Sequence, residues 1–140
     1  MMDASQAKEL LLFHSFSHSD INHPKMETGF LGSLRPYSGL QESNFHEVMQ
    51  AIIALAPNLQ NDEVLDREIV CALWAICDLA RAWGVHPNGM LRKNQLITLQ
   101  DSARLEQWVN AISSAVFFLL DGADLETALD GYQTNTAWDN

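Results

Sequence analysis

The sequence predicts an all-α fold, a single-domain helical bundle of four main helices plus a short C-terminal helix. Three observations carry that prediction. Apolar residues recur at three- and four-residue spacing through four stretches. Capping residues open these stretches and Gly or Pro closes most of them. No stretch alternates apolar and polar residues as a half-buried strand does. The chain has 140 residues, the size of one domain, and a chain of that length buries a core without staples.

Residues 3–16 read as the first helix. Asp3 and Gln6 have the spacing of a capping box. Ala4, Ala7, Leu11 and His14 share one face, with Leu10 beside them. Ser15, Ser17 and Ser19 favour turns and fray its end. Residues 17–42 form a long ordered loop. It holds Pro24, Gly29, Gly32, Pro36 and Gly39, and also Ile21, Met26, Phe30, Leu31, Leu34, Tyr37 and Leu40. So many large apolar groups predict a lid over the core. A loop this long also reads as a binding loop, with Arg35 and Tyr37 at its tip and Phe30 or Tyr37 as the apolar anchor.

The second helix is predicted over residues 43–56. Ser43 or Asn44 caps it, Asn44 and Glu47 fit a capping box, and Pro57 ends it. Its stripe is Phe45, Val48, Met49, Ile52 and Leu55. The third helix, 62–83, follows a short connection, which predicts antiparallel packing of the two. Asn61 caps it, and Asp62, Glu63 and Asp66 complement the dipole of its first turn. Gly84 stands where a left-handed residue ends a helix, and Pro87 prevents continuation. The rod would be roughly 33 Å long. Ile69, Ala72, Leu73, Ile76, Ala80 and Trp83 form its apolar face, widened by Val70 and Cys77. Arg67, Cys71, Trp74, Asp78 and Arg81 form its polar strip. A helix this apolar is expected to be covered on several sides. Asp78 interrupts the run, which falls short of the ~20 residues of a membrane span.

Pro87-Asn88-Gly89 marks a turn. Leu96 and Ile97 are expected to tuck into the core. Thr98 and Asp101 open a helix to Asp121 that Gly122 closes. Its stripe is Leu105, Trp108, Val109, Ile112, Val116 and Leu119. Phe117, Phe118 and Leu120 add a second face that exceeds what four helices cover, and a homodimer would bury the surplus. A short helix follows from Asp124 to Asp130, stopped by Gly131. Residues 132–140 read as a loosely held tail with Trp138 as its anchor.

The formal net charge is −10 and the pI about 4.6. That balance argues against nucleic acid and an anionic membrane as partners and fits a basic protein. Cys71 and Cys77 lie ~9 Å apart along one helix, too far for a disulfide. Both are expected to be reduced and buried in a cytoplasmic protein. The N-terminal residues lack the basic and apolar regions of a signal peptide.

No nucleophile elbow, phosphate loop, dinucleotide fingerprint or Cys–His pair is present. The sequence therefore reads as a non-enzymatic interaction module with no catalytic residue, metal or cofactor assigned. From Leu105 to Asn140 there is no Lys or Arg and a formal charge of −6. Asp121, Glu126 and Asp130 would gather around the Gly122 turn as a docking patch for a basic partner. An inhibitor, immunity-type or adaptor protein fits that description. One alternative is an enzyme built in the bundle. It would hold a metal at His14 and His18, spaced i and i+4, in a cluster with His23 and with Asp20 or His46 as a further ligand. Otherwise it would use Asp78 as a buried acid. The structural reading of Asp78 is a partner of Arg81, Arg92 or Lys93. A third possibility is a pocket for an apolar small molecule between the Trp-rich helices.

Overall fold

The computed structural model describes residues 2–133, and over these the chain is all-α. The helices are α1 (Ala4–His14), α2 (Lys25–Thr28), α3 (Glu42–Asn61), α4 (Arg67–Ala80), α5 (Met90–Lys93), α6 (Leu99–Leu120), α7 (Leu125–Ala128) and α8 (Asp130–Gln133). A π-helical turn, Arg81–Val85, extends α4. Among the described residues the one β-type pairing is an isolated bridge between Leu34 and Tyr37.

α1 opens with the expected capping box. Asp3 accepts from the Gln6 amide at 2.8 Å, and Gln6 accepts from the Asp3 amide at 2.9 Å. It ends at His14 because Phe16 turns left-handed, with φ 60°. The Phe16 and Ser17 amides then close back on the carbonyls of Phe13 and Leu12. That pair of bonds satisfies two orphan carbonyls of the last turn.

α1 packs on α3 and on α4, and α6 packs on the same two helices. α3 and α4 share these two neighbours and have at most slight direct contact, which corrects the expected packing of these consecutive helices on each other. An exposed connection, residues 62–66, joins them. Each of α3 and α4 has an apolar face wide enough for two neighbours. Phe45, Ile52, Leu73, Ile76, Leu105, Trp108 and Ile112 belong to the shared core. Trp108 stacks on Phe45 at 5.4 Å and 5° and meets Phe30 edge-on at 6.4 Å.

Four helix boundaries differ from the sequence expectation. α3 starts at Glu42 after Gln41, whose side chain makes no cap bond, so neither Ser43 nor Asn44 caps it. Asn44 instead donates to the Thr28 carbonyl at 2.8 Å. α3 also runs through Pro57 to Asn61. Leu59 is buried, and Gln60 donates to the Ala123 carbonyl at 2.8 Å. This packing outweighs the hydrogen bond that proline removes. α4 consequently begins later, at Arg67, where Asp66 accepts from the amides of Glu68 and Ile69. Finally, Gly84 is no left-handed cap. It lies buried in the π-helical turn, where an added Cβ would come 2.5 Å from Leu105 Cδ2. A larger residue there would require the Leu105 side chain to shift.

α4 is not covered all round. Its inner face packs, while Arg67, Cys71, Trp74 and Asp78 are exposed. Cys77 is buried but Cys71 is not, which corrects the expectation for that thiol. By length and composition alone, the helical stretch Arg67–Lys93 is long and apolar enough to cross a membrane, with mean hydropathy 1.3.

The loop of residues 17–42 contributes Phe30, Leu31 and Leu34 to the core. It contains α2, and Met26, Phe30, Leu31 and Leu34 are buried. Ile97 is buried while Leu96 remains exposed, so only one of that pair reaches the core. α6 has the expected ends. Thr98 accepts from the Asp101 amide, and Gly122 turns left-handed at φ 86°. Asp124 caps α7, but Gly131 does not stop the chain, since it lies within α8. Trp138 and the tail beyond residue 133 lie outside the described residues.

Candidate functional site: the α4–α6 face

α4 and α6 run beside each other, and their shared outer face holds the largest exposed aromatic groups near one another. Trp74 is 74% exposed, Phe117 60% and Leu120 43%. A groove of about 450 Å³ lies between the helices, lined by these three with Val70, Asp78 and Arg81 among others. Trp74 sits on the strip that the helical spacing assigns to the polar side. A large aromatic group there has no core to fill, and the isolated chain leaves it in water.

Asp78 lies on this face and is exposed. Among the described residues it has no ion pair. Arg81 donates to Asn110 Oδ1 at 3.2 Å and Arg92 to the Val85 carbonyl at 3.0 Å. The buried acid of the enzyme reading, and the expected pairing of Asp78 with Arg81, Arg92 or Lys93, are both corrected. On a surface strip water supplies what a buried carboxylate would need from a partner. Burial pushes the neighbouring Cys77 thiol up to about 11.

The histidines do not form the expected i, i+4 pair, because α1 ends before His18. His14 is fully buried. Its Nδ1 accepts from the Phe30 amide at 2.9 Å, so the ring proton sits on Nε2 and donates to Glu47 Oε1 at 2.8 Å. Lys25 donates to the same oxygen at 2.7 Å. These bonds, His14 first, hold the Glu47 carboxyl down to about 2. His18 and His23 each stack on Phe13, at 3.8 Å and 4.2 Å. His46 bonds the Tyr132 hydroxyl at 2.7 Å. Among the described residues no group of three or more His, Cys, Asp or Glu side chains is arranged to hold a metal. A depression of about 560 Å³ beside α1 is lined by Glu9, Asp20, His23 and Lys25, among others. Glu9 meets His18 and Lys25 meets Glu47, so these charges are engaged within the chain.

The loop residues expected to anchor a partner are used internally. Phe30 is buried against Trp108 and offers no anchor. The Arg35 guanidinium lies over the Trp83 ring at 5.4 Å. Tyr37 is half-buried, and its hydroxyl makes a long contact of 3.5 Å with Asp101. Burial, then the Asp101 charge, raises the Tyr37 hydroxyl above its ordinary range. Asp121, Glu126 and Asp130 are all exposed, at the ends of α6, α7 and α8 nearest the Gly122 turn. Asp124 is engaged as the α7 cap, and its Thr127 bonds lower its carboxyl below the usual range.

No protein-family model matches this chain, and neither a curated protein nor a solved structure matches it. The geometry of the α4–α6 face is therefore the basis of the functional reading.

Proposed function

We propose that this chain is a non-enzymatic protein-interaction module, a bundle of four main helices whose contact surface is the α4–α6 face. The observation that carries this reading is the exposure of Trp74 beside the apolar groove ending on Phe117 and Leu120. Buried aromatic anchors contribute most of the energy of protein interfaces. A side chain already on the surface, held on a packed helix, loses little freedom on binding. The test is capture from an extract of the native cell with wild type and with Trp74→Glu as bait. A partner held by wild type and lost by Trp74→Glu is expected. Identical capture by both baits would sink this assignment of the face.

A second surface has its own supporting observation. Asp121 and Glu126 are exposed, and the segment Leu105–Gln133 contains no Lys or Arg. We read this end as a steering surface for a basic protein, which speeds encounter more than it adds affinity. Binding there weakens as salt rises, since the Debye length falls from ~10 Å at 0.1 M to ~3 Å at 1 M. Asp121→Lys with Glu126→Lys should slow association with a basic partner several-fold. An association rate indifferent to both changes leaves this end as a solvated surface.

A further inference from the structure

Trp108 is 2% exposed, and among the described residues its indole N–H has no acceptor. A buried donor without a partner is costly, and most such groups in folded proteins are satisfied by protein or by ordered water. We infer that the small chamber beside this ring is a binding site for one water molecule. The water accepts from Trp108 Nε1 and ties the 17–42 loop and the start of α3 to α6. The chamber shares no residue with the α4–α6 groove, so the two sites stand or fall separately.

Size is the first argument. The chamber has a volume of about 10 Å³. A single water needs ~10–15 Å³, so one water fits and no larger ligand does. Its walls come from three parts of the fold. They include Ser33 and Leu34 from the loop, Gln41 and Asn44 at the start of α3, and Leu105 and Trp108 from α6.

The setting of the ring is the second. Phe45 stacks on the indole at 5.4 Å and 5°, and the Arg104 guanidinium lies over it at 5.4 Å. Both contacts are made to the faces of the ring. The edge is left to line the chamber, and Nε1 is the one polar atom on that edge.

The chemistry of the walls is the third. The Ser33 hydroxyl donates to the Phe30 carbonyl at 3.1 Å, so its oxygen presents lone pairs. Asn44 Nδ2 donates to the Thr28 carbonyl at 2.8 Å, which fixes Oδ1 as the accepting end of that amide. Gln41 brings a second amide. A water takes the indole proton through its oxygen and gives its own two protons to two of these acceptors. That makes the ~3 hydrogen bonds typical of a buried water. Chambers that stay dry have apolar walls, and these walls are mixed.

The test is a crystal structure of the full chain at a resolution that shows ordered water. One water is expected within ~3.2 Å of Trp108 Nε1, with Ser33, Asn44 or Gln41 as a second contact. A protein oxygen on Nε1 overturns the inference, as does a chamber without density. A water that touches Nε1 and none of those three residues also overturns it, since it would tie nothing to α6. Where crystals do not form, proton NMR asks the same question in solution. A nuclear Overhauser contact between the Trp108 indole proton and a long-lived water supports the site. An indole proton with protein neighbours alone overturns it. Trp108→Phe identifies the resonance by removing it from the four indole signals. If that variant does not fold, Trp74→Phe, Trp83→Phe and Trp138→Phe identify it by elimination.

Discussion

His14 Nε2 and Glu47 Oε1 lie 2.8 Å apart and join the last residue of α1 to the first half of α3. Lys25 adds a third element to the same carboxylate oxygen. One ionised group thus fastens α1, α2 and α3 together.

The Glu47 carboxyl ordinarily titrates near 4.5 and in the fold near 2. A depressed folded value contributes stability that is present above pH 4.5 and lost as pH falls toward 2. The full shift corresponds to about 3 kcal/mol. The side chain is 31% exposed, and solvent screening reduces this to about 1–2 kcal/mol. Urea midpoints should therefore fall between pH 5 and 2.5 more steeply in wild type than in Glu47→Gln. Parallel pH profiles would show that Glu47 does not carry the dependence.

The two thiols should separate in the native state. Cys71 is exposed, whereas Cys77 is buried with its thiol raised to about 11. A thiol reagent should label Cys71 quickly and Cys77 only on unfolding, because the thiolate is the reactive form. Mass mapping after a brief pulse reads the outcome. Prompt labelling of Cys77 would mean that the inner face of α4 opens easily.

Pro57→Ala should stabilise the protein. Proline within α3 leaves the Ile53 carbonyl without its helical donor, a defect worth up to ~3 kcal/mol. Alanine restores that donor, and the expected gain is about 1–2 kcal/mol after the entropy proline removes from the unfolded chain. A lower midpoint in denaturant would show that the restraint proline places on the unfolded chain outweighs the missing hydrogen bond.

Truncations on α4 should differ by face. Ile76 is fully buried, and Ile76→Ala should cost about 2–5 kcal/mol. Trp74→Ala removes a larger side chain and should cost less than ~1 kcal/mol in a dilute, monomeric sample. Equal losses would place both residues in the same environment.

Elements set by local chemistry are readable in this sequence. Asp3 with Gln6, and Thr98 with Asp101 and Gly122, act within a few residues, and each marks a real helix end. Pro57 misleads because Leu59 and Gln60 find their partners outside α3, and a local rule does not see them. The position of Trp74 on the outer strip follows from spacing. Its proximity to Phe117 does not, since that requires knowing that α4 lies against α6. The His14–Glu47 bond spans 33 residues, and neither residue signals the other. The same long-range packing buries Phe30 and so removes it from the set of available contact groups.

The ring of contacts around α1 sets an order in time. α1 leaves the ribosome before its neighbours α3 and α4, which end at residues 61 and 80. At ~5–20 residues per second, several seconds separate the completion of α1 from that of α4. Until α3 is made, Ala7 and Leu11 lack the helix that covers most of their face, whereas Phe13 meets His18 and His23 almost at once. α1 therefore completes its set of partners only after residue 80 is made.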